Sequence, residues 1–247
     1  MIKFENLEVT GWECAIRGMR NPLNSWEKSD SGYNEDLDDF VIGVSDWNLM
    51  MRLIKAGSDH RKFMRMITVT ADITAPLYWW KEYDTYKVGT VANSCSTMHK
   101  IHAKEFVPTD FSCERLNYRS WGVFKATIDE LNYNREEFIK TKDKAYWEQM
   151  IQLLPTSYNQ KRTVMLNYEV LANIYRSRKN HKLKEWHDLC DLIETLPYSE
   201  LITGPNTEET SFQQDLDFFV NDCTGAQLEA LYKEVEKKLK EKGLVNV

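Results

Sequence analysis

Residues 67–99, ITVTADITAPLYWWKEYDTYKVGTVANSCSTMH, decide how the rest of the chain is read. Ile67, Val69, Ala71 and Ile73 alternate with polar residues, which predicts a half-buried strand. Thr74 can cap a following helix whose first turn holds Pro76, where a missing N–H costs nothing. On that helix Trp79, Glu82, Tyr83 and Tyr86 share one face by i, i+3, i+4, i+7 spacing, and Trp80, Asp84 and Lys87 share another. Gly89 ends it. The loop TVANSCSTM that follows is dense in hydroxyl and amide groups and nearly free of bulk. Together with Lys81, Lys87 and His99, such a loop can wrap a phosphate or a base edge. It also has the composition of an ordinary Ser/Thr/Asn-rich connection.

Upstream, residues 2–10 alternate through Ile2, Phe4, Leu7 and Val9 and predict an edge or half-buried strand, ended by Gly11. Residues 12–20 read as a short helix broken by Asn21-Pro22, and residues 22–39 as a polar, acidic, exposed loop. Ser45 is a suitable N-cap for the helix WNLMMRLIKAG, whose stripe is Leu49, Met50, Leu53 and Ile54 and whose C-cap is Gly57.

Downstream, Pro108-Thr109-Asp110 predicts a short helical turn, and residues 121–152 predict a helix broken near Asn134. Residues 157–178 read as a second long helix with a stripe of Val164, Met165, Tyr168, Leu171, Ala172 and Tyr175. Residues 183–196 read as a helix with Trp186, Leu189, Cys190 and Ile193 inward. Residues 203–211 read as a loop or linker and residues 226–242 as an amphipathic helix. The order predicts an α+β, helix-rich fold with a small sheet.

The chain has 247 residues, enough for one domain with a sizeable core. A net charge of -6 argues against a partner that is a nucleic-acid polymer, though not against a local pocket for one phosphorylated small molecule. Five cysteines, Cys14, Cys95, Cys113, Cys190 and Cys223, include no CxxC pair. They suggest neither a disulfide framework nor a zinc site, and a reducing, cytoplasmic setting is expected. The N-terminus lacks the apolar run of a signal peptide, and no window approaches the roughly 18 apolar residues of a membrane span.

A second constellation lies in residues 161–178. If these form one helix, Asn167 and Arg178 point almost the same way about 16 Å apart, with Lys161 and Arg162 upstream. An arginine there is also simple complementation of a helix dipole. His99 and His102 have no acidic companion at helical spacing, so no metal site is expected. The motifs GxSxG, HExxH, the Walker loop and GxGxxG after a strand are missing.

These residues together resemble the flavin-dependent thymidylate synthases. That family has an apolar helix ending in glycine, a strand, Ala-Pro opening an aromatic helix, and the pattern RHRxxSxNxxSxR. The succession here is LIKAG, ITVTADI, TAPLYWWKEYDTYK and VGTVANSCSTMH. With one inserted residue, Lys87 falls on the second arginine, Thr90 on the first serine, Asn93 on the asparagine and Ser96 on the second serine. Thr85 and Tyr86 replace the first arginine and the histidine, and Met98 the closing arginine. Glu82 falls where the family often has a glutamine facing the nucleotide. His60 is an approximate counterpart of a flavin-seating histidine before the strand. Independently, the family's Leu-Pro, basic residue, N-x5-N-x4-R and tryptophan match Leu154-Pro155, Lys161, Asn167, Asn173, Arg178 and Trp186.

The resemblance covers residues 45–195 and implies a single domain over 1–247, with residues 203–247 as a helical extension and a mostly antiparallel sheet. It implies reductive methylation of dUMP to dTMP with FAD, NADPH and methylenetetrahydrofolate, in a cytoplasmic homotetramer with shared sites. Glu82, Lys87, Ser96, Lys161 and Arg178 would bind substrate. His60, Thr85, Tyr86, Thr90, Asn93, Asn167 and Asn173 would bind the cofactor. It leaves the catalytic side chains unassigned: the protein's part would be orientation and electrostatics, with the flavin delivering hydride. Aromatics such as Trp79, Trp80 and Tyr83 would suit subunit interfaces. Two other classes stay open: a divergent homologue that binds or modifies a pyrimidine nucleotide without making thymidylate, and a non-catalytic interaction protein on the same scaffold.

Overall fold

The computed structural model describes residues 2–204. In chain order the elements are β1 (Lys3–Thr10), α1 (Trp12–Arg20), a hairpin of β2 (Gly32–Asn34) and β3 (Asp39–Val41), α2 (Val44–Lys55), β4 (Thr68–Pro76), α3 (Leu77–Tyr83) and β5 (Val91–Ser94). They continue with α4 (Tyr118–Thr141), α5 (Lys144–Leu153), β6 (Asn159–Asn167), α6 (Tyr168–Arg178), α7 (Lys184–Glu194) and α8 (Glu200–Thr203). The fold is α+β and helix-rich. Among the described residues its larger sheet is antiparallel throughout, in the order β1-β4-β6-β5. No described helix is long and apolar enough to cross a membrane. Of the expected linker at 203–211, Thr203 instead ends α8, while residues 205–211 and the expected helix at 226–242 lie outside the described residues.

β4 is central because its period-2 pattern buries Val69, Ala71, Ile73 and Ala75 on one face. It runs three residues beyond the expected end at Ile73. Thr74 is therefore a strand residue opposite Lys3 and Lys161 rather than a helix cap. Pro76, which fixes its own extended backbone, is both the last strand residue and the N-cap of α3.

The expectation of one helix over 157–178 is wrong. Residues 159–167 form β6, pairing with β4 on one side and β5 on the other, and the helix starts at Tyr168. Val164 and Leu166 alternate toward the core, and the neighbouring strands take up the backbone polar groups of the segment. Asn167 ends the strand and caps α6, its side chain accepting from Val170 N at 3.0 Å.

Three further expectations need correction. α4 passes through Asn134 unbroken, because the buried Asn134 amide donates back to Glu130 O within the helix at 2.8 Å. The break comes at Lys142, in the left-handed region, after which Asp143 caps α5. Gly43, not Ser45, is the N-cap of α2, and the Asp30 carboxylate takes the orphan N–H groups of Ser45 and Asp46. Trp79, Trp80 and Tyr83 are buried inside this chain and offer no surface to a partner.

The apolar residues form two separate clusters. The larger joins the sheet to α1, α2, α3, α6 and α7, and holds Trp79, Trp80 and Trp186 fully buried. The smaller is made of Ile101, Phe106 and Phe111 packed on Phe124, Ile128 and Leu131 of α4 and Met150 of α5.

Candidate functional site

The C-terminal ends of α3 and α6 deliver side chains to the same place. The Arg178 Nε donates to the Tyr86 hydroxyl at 2.9 Å and its Nη1 to Glu82 Oε2 at 2.7 Å. Its guanidinium carbon lies 4.5 Å from the Trp186 ring centroid and 5.7 Å from that of Tyr86, within cation–π range. The Trp186 indole N–H donates to the same Glu82 oxygen at 3.1 Å, and His181 Nε2 lies 3.3 Å from it. Tyr86 sits past the end of α3, yet its ring meets Trp186 at 6.0 Å between centroids. Glu82, Tyr86 and Arg178 were expected on sequence grounds; His181 was not.

Ser96 and Lys161 line a second feature, a cleft of about 300 Å³ beside Cys95, Tyr158 and Gln160. Ser96 Oγ accepts from the backbone N–H groups of Met98 and His99 at 3.3 and 2.9 Å, which shapes the turn after β5. Lys161 pairs with Asp72 at 3.1 Å and Glu5 at 3.4 Å. Its hydrogen bond to Asp72 leads the interactions that hold the ammonium pKa above the ordinary lysine value. Asp72 in turn accepts from Thr163, Asn6 and Lys161, and these bonds, Thr163 first, bring its pKa down to about 2.

The residues expected to hold the cofactor are spread more widely. Asn167 is buried, and Gly89 comes so near, with φ +76°, that a Cβ there would stand 2.8 Å from Asn167 Nδ2. The Thr90 hydroxyl donates to Tyr86 O and the Thr85 hydroxyl to Glu82 O, so both close the end of α3. Asn93 stands in β5 opposite Thr163, and all four β5 residues are exposed. Asn173 is exposed and accepts from Arg176 at 2.6 Å. His60 and Lys87 are exposed surface residues. The chain thus gathers Glu82, Tyr86 and Arg178 in one cluster, Ser96 and Lys161 in one cleft, and seats Gly89 on Asn167. His60, Lys87, Asn93 and Asn173 face solvent.

One basic residue, expected on a helix, is instead fixed on β6. Arg162 stacks on Trp80 at 4.2 Å and donates to Asp84 at 2.7 Å and Gln160 at 2.9 Å. Gln160 donates onward to Cys95 O at 2.7 Å, tying β6 to the turn after β5. The alternation in RTVMLN was the signal that would have placed Arg162 on a strand.

No family model and no curated protein matches the chain. Solved structures do. The chain is similar to thymidylate synthase X (ThyX) from Helicobacter pylori, crystallised with FAD and dUMP, at 18% identity and a TM-score of 0.59. That match covers 82% of this chain and 98% of the other. A second structure of this flavin-dependent thymidylate synthase, complexed with FAD and dUMP, matches at the same identity and TM-score over 81% and 98%. The UMP/dUMP methylase PolB from Streptomyces cacaoi, bound with 5-Br dUMP, matches at 15% identity and a TM-score of 0.50 over 79% and 89%. The fold is therefore that of the flavin-dependent thymidylate synthases.

Proposed function

We propose that the chain is a pyrimidine-nucleotide enzyme of the flavin-dependent thymidylate synthase type, methylating dUMP to dTMP with FAD, NADPH and methylenetetrahydrofolate. The observation that carries this reading is the meeting of Glu82 and Tyr86 with Arg178, because the two stretches that resemble the family converge there from 92 and 96 positions apart. In this reading Arg178 and Glu82 face the nucleotide, and Lys161, Ser96 and Lys87 hold other parts of it. The flavin would supply hydride to the reaction.

The donor set fits the flavin in part. Asn93, Asn167 and Asn173 offer amides suited to the ring's polar edge, and the Gly89–Asn167 contact keeps side-chain bulk away from Asn167. His60, Thr85, Tyr86, Thr90 and the three asparagines bring no lysine or arginine to a pyrophosphate. That charge would come from Lys81, Arg61, Lys62 or Lys100, or from a second copy of the chain in a homotetramer whose sites are shared. Exposure supports such an assembly: Val88 is 89% exposed, Val91 54% and Met98 50%, all in the segment carrying the resemblance. A reducing cytoplasmic setting accompanies this reading.

The test is direct. The purified full chain should carry the visible absorbance of oxidised flavin, bleach with NADPH, and rescue a thymidine-requiring strain. Well-expressed, colourless protein that rescues nothing would reject the activity.

A second reading is favoured by charge. Arg178, Lys161 and Arg162 are each paired with a carboxylate of this chain, and Thr85 and Met98 stand where the family pattern has arginines. This pattern suits a homologue that binds or modifies a pyrimidine nucleotide without making thymidylate. Colourless protein that still binds dUMP would select it.

A further inference from the structure

The turn after β5 is pinned around Ser96 at three points. Cys95 N donates to Lys161 O at 2.9 Å, Gln160 Nε2 to Cys95 O at 2.7 Å, and the Trp147 indole N–H to Met98 O at 3.0 Å. The Ser96 oxygen accepts from two backbone N–H groups, which leaves its own proton to donate. The cleft beside it, about 300 Å³, is at the small end of ligand-site volumes. Thr97, Lys104, Thr109 and Lys161 share its wall. Met98, which stands where the family pattern closes on an arginine, lies outside that wall.

The two cations of the wall are not equivalent. Lys161 is held by two carboxylates, Asp72 and Glu5, and its side chain is 41% exposed. Lys104 has one ion-pair partner among the described residues, Asp110, and is 65% exposed. The second oxygen of Asp110 accepts from Val107 N at 3.1 Å, so this carboxylate is divided between the lysine and its own turn. The bond to Asp110 also holds the Lys104 ammonium above the ordinary lysine value, so it stays charged at neutral pH. An ammonium has three donors; one goes to Asp110, and two are left for a ligand.

We propose that Lys104 is a substrate-binding residue: with Ser96 it takes the phosphate monoester of the pyrimidine nucleotide, supplying in this cleft the charge that the arginine replaced by Met98 would bring. Resting on the nucleotide reading above, this names a cation that no matched position of the family pattern supplies. A monoester carries about two negative charges and three acceptor oxygens at neutral pH. One serine and a lysine already shared by two carboxylates do not balance it, whereas a second ammonium does.

The test is calorimetric titration of the full chain, as wild type, Lys104→Met and Lys104→Arg, with dUMP, inorganic phosphate and deoxyuridine. Lys104→Met keeps the reach of the side chain without its charge and, at so exposed a position, should leave the far-ultraviolet circular dichroism unchanged. It should weaken dUMP and phosphate by about tenfold or more, equivalent to about 1.4 kcal/mol. Deoxyuridine, which has no phosphate, should be unaffected, and Lys104→Arg should keep the wild-type affinities. Equal dUMP affinity in wild type and Lys104→Met overturns the assignment and leaves the nucleotide reading standing. A matching loss for deoxyuridine also overturns it, because that reports an altered cleft and not a lost charge. Phosphate weakened by Lys104→Met, with dUMP bound by no form of the chain, upholds Lys104 as an anion ligand and rejects the nucleotide reading. Wild type that binds neither dUMP nor phosphate overturns both.

Discussion

Arg20 Nε donates to Asp46 Oδ1 at 2.6 Å, and the two side chains are 3% and 0% exposed. Asp46 also accepts from the hydroxyls of Ser29 and Ser31 and from the backbone N–H groups of Asp30 and Ser31. One carboxylate thereby fastens α1, α2 and the polar stretch between them. Asp46→Ala leaves the Arg20 charge buried without its partner and should destabilise the chain by about 3–5 kcal/mol. Urea unfolding followed by circular dichroism measures this, and a loss below about 1 kcal/mol would show that the network is replaceable.

Acid should act through the same kind of group. Burial alone would raise the Asp46 pKa, but the hydrogen bonds from Ser31, Ser29 and Arg20 outweigh it and leave it low. Asp72 is brought down to about 2. A carboxylate whose folded pKa lies below its unfolded value of about 3.9 contributes stability that is complete above that value. The contribution disappears as pH falls toward the folded pKa. The melting temperature should drop on acidification from about pH 5 to pH 2. Asp72→Asn should melt lower at neutral pH and show a shallower acid slope.

Asn167 and Gly89 should report on each other. Asn167→Ala removes the cap of α6 and should cost about 1 kcal/mol. Gly89→Ala places a methyl against the Asn167 amide at a φ that L-residues disfavour, and should cost about 1–2 kcal/mol. Combining them relieves the clash but not the backbone strain, so the double variant should lose less than the sum in thermal unfolding. Strict additivity would show that the contact carries no energy.

Arg178→Ala should weaken dUMP binding by about tenfold or more, the usual scale for a hydrogen bond to a charged partner, while the far-ultraviolet circular dichroism stays unchanged. Unaltered dUMP affinity would remove Arg178 from the proposed nucleotide site.

β4 was legible because its side chains obey a two-residue period and Pro76 marks its end. β6 was not, since RTVMLN runs into YEVLANIY without a glycine or proline to separate strand from helix. Asn167 was the punctuation: a capping side chain that reads equally well as one residue of a helical face. The apolar stripe drawn through that imagined helix still named mostly buried residues, because Val164, Tyr168, Leu171, Ala172 and Tyr175 face the core in either geometry. For the candidate site, resemblance named individual positions, but the Glu82–Arg178 pairing spans 96 positions and leaves no local trace. The aromatic surplus misled in the opposite direction, since Trp79 and Trp80 fill the chain's own interior.

The smaller apolar cluster has a dynamic consequence. The segment after β5 is stitched to α4 and α5 by side chains: Asn132 bonds both backbone groups of Phe106, Arg135 reaches His102 O, and Trp147 reaches Met98 O. Its other end is tied into the sheet through β5. The α4–α5 pair can behave as its own cooperative unit, opening while the sheet remains protected. Each such opening would unfasten the far end of the segment from residue 98 to residue 106 and leave β5 in place. In hydrogen exchange, amides of α4 and α5 would then share one opening free energy with residues 98–106, below that of β4 and β6.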